Sequence, residues 1–192
     1  MPGWSSTDQP LLAVGRGSGD PMLRSLIVTV ATVIAPLSGV TAAHAAPPDA
    51  SDQDKAFLVS AHQDNLTEIE GGHTAEKQAG SQAVKDAGSR LVKDHTALDE
   101  QVTKVAAEYG VDLPGEPTEK QQAELRKFAA KSGAAFDRAW VPAQVEDHRM
   151  TLVALDKEAS TGSSEKVRQL ARDTKPVVQE HLDLMESIQS GG

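Results

Sequence analysis

Three histidines stand where the surrounding pattern calls for aliphatic side chains. His95 belongs to the series Val84, Gly88, Leu91, His95, Leu98, Val102, Val105, Tyr109, whose alternating steps of four and three put every member on one stripe of a single helix. His148 holds the same kind of place among Val141, Val145, Leu152, Leu155 and Ala159, and His181 among Val167, Leu170, Thr174, Val177, Leu184 and Ile188. On a fourth stretch Glu68 follows Phe57, Ala61 and Asp64 and precedes Gly71 and Ala75. Neutral imidazole nitrogens and an anionic oxygen are donors that Zn, Cu and Fe accept, so coordination of one divalent transition-metal ion is the chemistry these positions suggest.

Coordination requires the four side chains to meet, and helical rise tests whether they can. His95 lies 14 residues beyond Ser81, at which one helix starts, and Glu68 lies 12 residues before Gly80, at which the preceding helix stops. At ~1.5 Å per residue those depths are about 21 and 18 Å. His148 precedes Gly162 by 14 residues and His181 follows Ser163 by 18, a difference of roughly one turn. All three imidazoles are thus expected near mid-bundle. A buried polar group without a partner costs about 1 to 3 kcal/mol, and three of them would take up much of the 5 to 15 kcal/mol that holds an ordinary domain together. Either an ion satisfies them, with Glu68 or Asp64 supplying the carboxylate, or each is a core residue bonded to an acid or to water. Asp94, Asp147 and Glu180 directly precede the three histidines but point about 100° away along the helix, which suits a supporting contact from a neighbouring helix better than ligation. His62 and His73 have no such company and are expected to be partly exposed.

Composition narrows the alternatives. The 192 residues carry a net charge of -9 and no cysteine. No basic stripe is available for phosphates, which argues against nucleic acid as a partner, and disulfides, thiolate metal sites and thiol catalysis are excluded. No Gly-x-Ser-x-Gly elbow or glycine-rich phosphate loop accompanies the serines and acids, so hydrolase and nucleotide-binding readings have no support. Aromatic residues make up 3%, while alanine is abundant, a mixture that favours helices packed through small and aliphatic side chains.

Four long helices are predicted to position the histidines. The first runs from the N-cap Ser51 to about Ala79, with Gly71 and Gly72 marking a bend or a close helix approach. The second spans Ser81 to Gly110. Leu113 to Pro117 form an irregular connection, and Thr118 to Gln121 read as a capping box for a short extra helix that Ser132 and Gly133 end. The remaining long helices run from about Ala134 to Ser160, with Pro142 kinking it or beginning its regular part, and from Ser163 to about Gln189, with a bend at Pro176. The fold class is therefore all-α, a four-helix bundle over 51–189 with a short helix in the central connection. That connection is long enough either to join antiparallel neighbours or to cross the bundle.

Residues 1–45 read differently. Met22, Leu23, Arg24 and Ser25 precede an apolar run from Leu26 to Leu37, and Ala43, His44, Ala45 give an A-x-A cleavage pattern, the three parts of a secretory signal peptide. The run is well short of the ~20 residues a membrane-spanning helix needs. Cleavage is expected after Ala45, residues 1–21 read as a start assigned too early with Met22 the better one, and 46–50 as a linker. An exported, extracytoplasmic protein with no membrane span after cleavage is the expectation.

The segments FLVSAHQDNLTEIEGGHTAEKQA, VKDAGSRLVKDH, SGAAFDRAWVPAQVEDH and KPVVQEHL together resemble the exported bundles grouped as the domain of unknown function numbered forty-one forty-two, over about Lys55 to Ile188. Asp94 with His95, and Phe136 with Asp137 through Asp147 with His148, are the most specific parts of that likeness. The resemblance implies a ferritin-like four-helix bundle in which Glu68, His95, His148 and His181 match the family's polar core; no activity follows from it. Ferritin-like di-iron proteins carry Glu-x-x-His on two helices, whereas Val92, Val145 and Val178 stand three before these histidines. A carboxylate-bridged di-iron centre is therefore not expected. Two functional readings result: an exported bundle that holds one Zn, Fe or Cu ion for metal handling, redox or stress, or a non-catalytic envelope bundle that binds a protein partner and uses its histidines structurally.

Overall fold

The structure, a computed structural model, describes residues 50–191. The signal peptide, its cleavage site, the alternative start and nearly all of the 46–50 linker lie outside them. The elements are α1 (Asp52–Gln78), α2 (Gln82–Glu108), α3 (Glu119–Ala129), α4 (Ala134–Thr161) and α5 (Glu165–Gly191), four long helices and one short one in the central connection. Three expected starts are built as the sequence suggests, while α5 begins at Glu165 with Ser164, not Ser163, accepting from the Val167 N–H. Ser51 and Asp54 form a capping box at α1, Thr118 and Gln121 another at α3, and the Ser81 hydroxyl accepts from the Val84 N–H at α2. Both α4 and α5 continue through their interior prolines.

Contacts at the two ends of the bundle settle the direction of the connection. At one end the Gly133 N–H donates to the Gln78 carbonyl, and the Asp137 carboxylate accepts from the N–H groups of Gly80 and Ser81, so α4 starts beside the α1–α2 turn. At the other end Tyr109 hydrogen bonds Ser164 at 2.7 Å and Lys166 pairs with Glu108, so α2 finishes beside the start of α5. Residues 109–133 must therefore travel the length of the bundle, and α3 lies on this crossover, against α1 and α4. The helices run up, down, down, up, with α1 and α2 forming one hairpin and α4 and α5 the other.

The α1–α2 contact is close because glycine faces glycine. A Cβ on Gly72 would come within 2.7 Å of the Gly88 carbonyl oxygen, and one on Gly88 equally near that of Gly72. Apolar side chains then fill both ends of the bundle, and a third cluster of Leu155, Ala171 and Val178 joins α4 to α5. Phe136 and Trp140, stacked with ring centroids 5.7 Å apart, join Ala75, Leu91, Val145 and Met185 near the α1–α2 turn, and Leu58, Val102, Val105, Val167 and Leu170 fill the opposite end. Between them, the buried side chains include Asn65, Glu68, His95, Gln144, His148 and His181, a polar layer across the middle of the bundle. The inward face of α5 is rotated from the expected seam. Ala171, Val178, Leu182 and Met185 are buried, whereas Val177 and Leu184 are only half-buried.

Candidate metal centre

Helices α2, α4 and α5 each bring one histidine to the polar layer. The ring centroids are 5.2 Å apart for His95 and His181, 5.5 Å for His148 and His181, and 6.0 Å for His95 and His148. One ring nitrogen of each lies within 4.8 Å of one from each of the others. All three are buried, His181 completely.

Each ring is held by its other nitrogen. His148 Nδ1 donates to the backbone carbonyl of Gln144 at 2.9 Å, and that carbonyl can only accept. His181 Nε2 donates to Asp94 Oδ2 at 2.9 Å, and Arg90 binds the same carboxylate. His95 Nδ1 donates to Oδ1 of the buried Asn65, also at 2.9 Å. These partners put the ring proton on the outer nitrogen each time and leave the lone pairs on His95 Nε2, His148 Nε2 and His181 Nδ1. Those three atoms are buried and have no hydrogen-bond partner among the protein's own atoms. A second contact that fixes tautomer and ring orientation is what metal-ligating histidines require.

Protonation cannot relieve the arrangement. Burial, reinforced by His181 and His148, holds His95 well below the usual histidine value. Burial pushes His148 down to about 4 and also lowers His181, where the hydrogen bond to Asp94 and then its charge offset only part of the effect. Burial would raise Asp94, but hydrogen bonds from His181 and Arg90 outweigh it and keep the carboxylate ionised. At neutral pH the centre is three uncharged imidazoles, all acceptors, sharing one interior spot.

The acids have a separate place. Among the described residues the tight group is the three histidines alone. Glu68 is buried, and its carboxylate accepts from the Gln144 side chain at 3.0 Å. Asp64 accepts from Gln121 of α3 at 2.7 Å. Both line a chamber of about 270 Å³ that His95, His148 and Asp147 also line. Burial first and the Asp147 charge second push Glu68 up to about 8 and Asp64 to about 6. Both carboxyls thus sit beside the imidazoles on the chamber wall, outside the tight group.

His62 bonds Asp99 and the Pro114 carbonyl, and His73 bonds Glu76 on the surface; neither approaches the centre. The supporting role expected of the acids before each histidine holds for Asp94. Glu180 instead pairs with Arg90, and Asp147 lines the chamber. Asn65 escaped the sequence reading because it falls off the stripe of α1 that carries Phe57, Ala61, Asp64 and Glu68.

The comparisons with known proteins agree with this architecture. A family model described as Domain of unknown function (DUF4142) matches residues 39–188. A crystal structure of a protein from Bacillus halodurans described as a "putative spore coat protein" superposes with a TM-score of 0.62 at 14% identity, covering 74% of this chain and 89% of that one, a likeness of fold alone. No curated protein matches the chain.

Proposed function

The chain belongs to the DUF4142 family, a membership that names no activity, and we propose that it binds one divalent transition-metal ion through His95, His148 and His181. The observation that carries this reading is the convergence of three buried, proton-free lone pairs, each on a ring oriented from behind by Gln144, Asp94 or Asn65. Three of the six ring nitrogens have no protein partner. Three imidazoles leave Zn, Fe or Cu a position for an exchangeable ligand, the pattern of reactive or transport sites more than of closed structural ones. Glu68 enters as the nearby carboxylate available to the ion, directly or through a bound water, and Asp64 stands behind it. An ion would lower the pKa of both acids, so binding should release protons.

The reading includes export. The pattern from Met22 to Ala45 supports secretion, and among the described residues no helix is long and apolar enough to cross a membrane. Metal handling, redox or stress defence outside the cytoplasm is the role in view. Metal analysis of protein purified without chelators, with amino-terminal sequencing of the exported form, tests both parts. About one ion per chain and a first residue at Ala46 are expected. Substoichiometric metal, together with melting unchanged by zinc or EDTA, would discard the metal reading.

A further inference from the structure

The chamber beside the histidines is larger and more apolar than an ion needs. Its walls include Phe57, Leu98, Val102, Leu155, Leu170 and Val178, and its volume is about 270 Å³. An apolar cavity of roughly 150 Å³ already accepts benzene. His95 and His148 line this chamber, and each leaves a buried Nε2 without a protein partner. The remaining wall carries three carboxyl groups, of Asp64, Glu68 and Asp147, and among the described residues no lysine or arginine lines it. An anionic ligand would meet the Asp64 charge there and find no cationic side chain to pair with.

We infer that the chamber binds a small organic molecule with a compact aliphatic body and one neutral nitrogen donor, the donor completing the coordination of the ion held by the three histidines. The inference rests on the metal reading above and names the class of ligand for the same site. The body replaces water along the aliphatic walls, the donor supplies the ligand that three imidazoles leave room for, and the carboxyl wall rejects competing anions. Ala154 is exposed and lines the same chamber, so a large side chain there would obstruct the body without touching the histidines.

The test loads the protein with cobalt(II), whose visible absorption reports ligand number, and titrates 1-alkylimidazoles from methyl to butyl, with straight-chain carboxylates of the same lengths as controls. Affinity should rise about fourfold per methylene, equivalent to ~0.8 kcal/mol, and each imidazole should outbind the carboxylate of its length. The A154W variant should keep the cobalt spectrum and lose the chain-length dependence. Should that variant fail to fold, the wild-type series and the carboxylate comparison decide by themselves. Cobalt that binds normally but responds equally to every chain length, or prefers carboxylates, overturns the ligand assignment and leaves the metal reading standing. Failure to bind cobalt at all removes both.

Discussion

Two places in this bundle bury polar groups that compete for hydrogen bonds, and they are finished differently. At the end where α1 and α5 begin, the wholly buried Asp54 carboxylate accepts from the Ser51 backbone and hydroxyl and from the N–H groups of Ser163 and Ser164. Glu158 beside it has its carboxyl raised by burial and keeps its buried Oε1 without a partner, while the hydrogen bonds from Ser51 and Ser164 help hold Asp54 below the usual carboxylate range although burial alone would raise it. The contacts to Ser163 and Ser164 tie the start of α1 to the start of α5. At mid-bundle the three imidazoles are tied by one nitrogen each, and the other three converge with nothing from the protein to meet them. The Asp54 carboxylate is satisfied within the fold; the three imidazoles are satisfied on one side only.

The comparison breaks first at Asp54. Replacing it with alanine strands the buried Ser164 N–H and removes the partner of the half-buried Ser51 and of the Ser163 N–H, which should cost about 3 kcal/mol. Urea denaturation should show that loss to the same extent with zinc or with EDTA. A metal-dependent loss would mean that the two regions are coupled.

Next comes His148→Gln. Glutamine keeps a polar side chain of similar reach and removes one lone pair from the centre. In EDTA the variant should lie within about 1 kcal/mol of wild type, since an unpaired buried nitrogen has gone along with its hydrogen bond to Gln144. With free zinc a hundredfold above the wild-type Kd, wild type should gain ~2.7 kcal/mol and the variant close to nothing. An equal gain in both would move the ion away from His148.

These two regions also differ in how readable they were. The seam of α2 is written as unbroken four-three spacing, and all its expected members but Tyr109 are buried. The depth count from the hairpin turns placed the histidines level because helical rise is nearly invariant, and the rings do meet. The crossover was not readable, because a connection's local sequence does not say which end of the bundle it reaches; Asp137 and Gly133 decide that through contacts far away in the chain. The α5 face was ambiguous because Val177 and Val178, and likewise Leu182 and Leu184, offer apolar groups on both sides of His181. Which pair turns inward depends on the neighbouring helices. Asn65, Gln144 and Asp94 hold the imidazoles from other helices or through the backbone, and no one-dimensional spacing links them to those rings.

Asp94→Asn sharpens the comparison from the supporting side. The carboxylate fixes the His181 tautomer and brings negative charge toward the ion, and an amide can do the first only by chance of orientation. Loss of such a partner typically weakens metal affinity by about 10- to 100-fold. Zinc affinity measured by competition should fall by that amount while stability in EDTA changes little. Unchanged affinity would reduce Asp94 to a partner of Arg90.

The smallest expected effect is the pH profile of the metal-free wild type, because its buried acids and bases pull in opposite directions. For the histidines the folded pKa is depressed, so the unfolded chain binds more protons and their contribution is present above ~6.5 and lost as pH falls through about 4 at His148. For Glu68 the folded pKa is raised, so its contribution is present below the unfolded value near ~4.3 and lost as pH rises through about 8. Asp64 acts like Glu68 up to about 6. Between ~4.5 and 6.5 these slopes oppose one another, three histidines against Glu68 and, up to about 6, Asp64, so stability in EDTA should rise only shallowly with pH, with a decline from ~6.5 toward 8 caused by Glu68. Glu68→Gln removes one opposing proton. Its stability should then rise with pH between ~4.5 and 6.5, by at most ~1.4 kcal/mol per unit relative to wild type, and level off above. A Glu68→Gln profile parallel to wild type would show that Glu68 is already ionised in the folded protein. The acid wall and the histidine layer would then no longer be two opposite answers to the same burial.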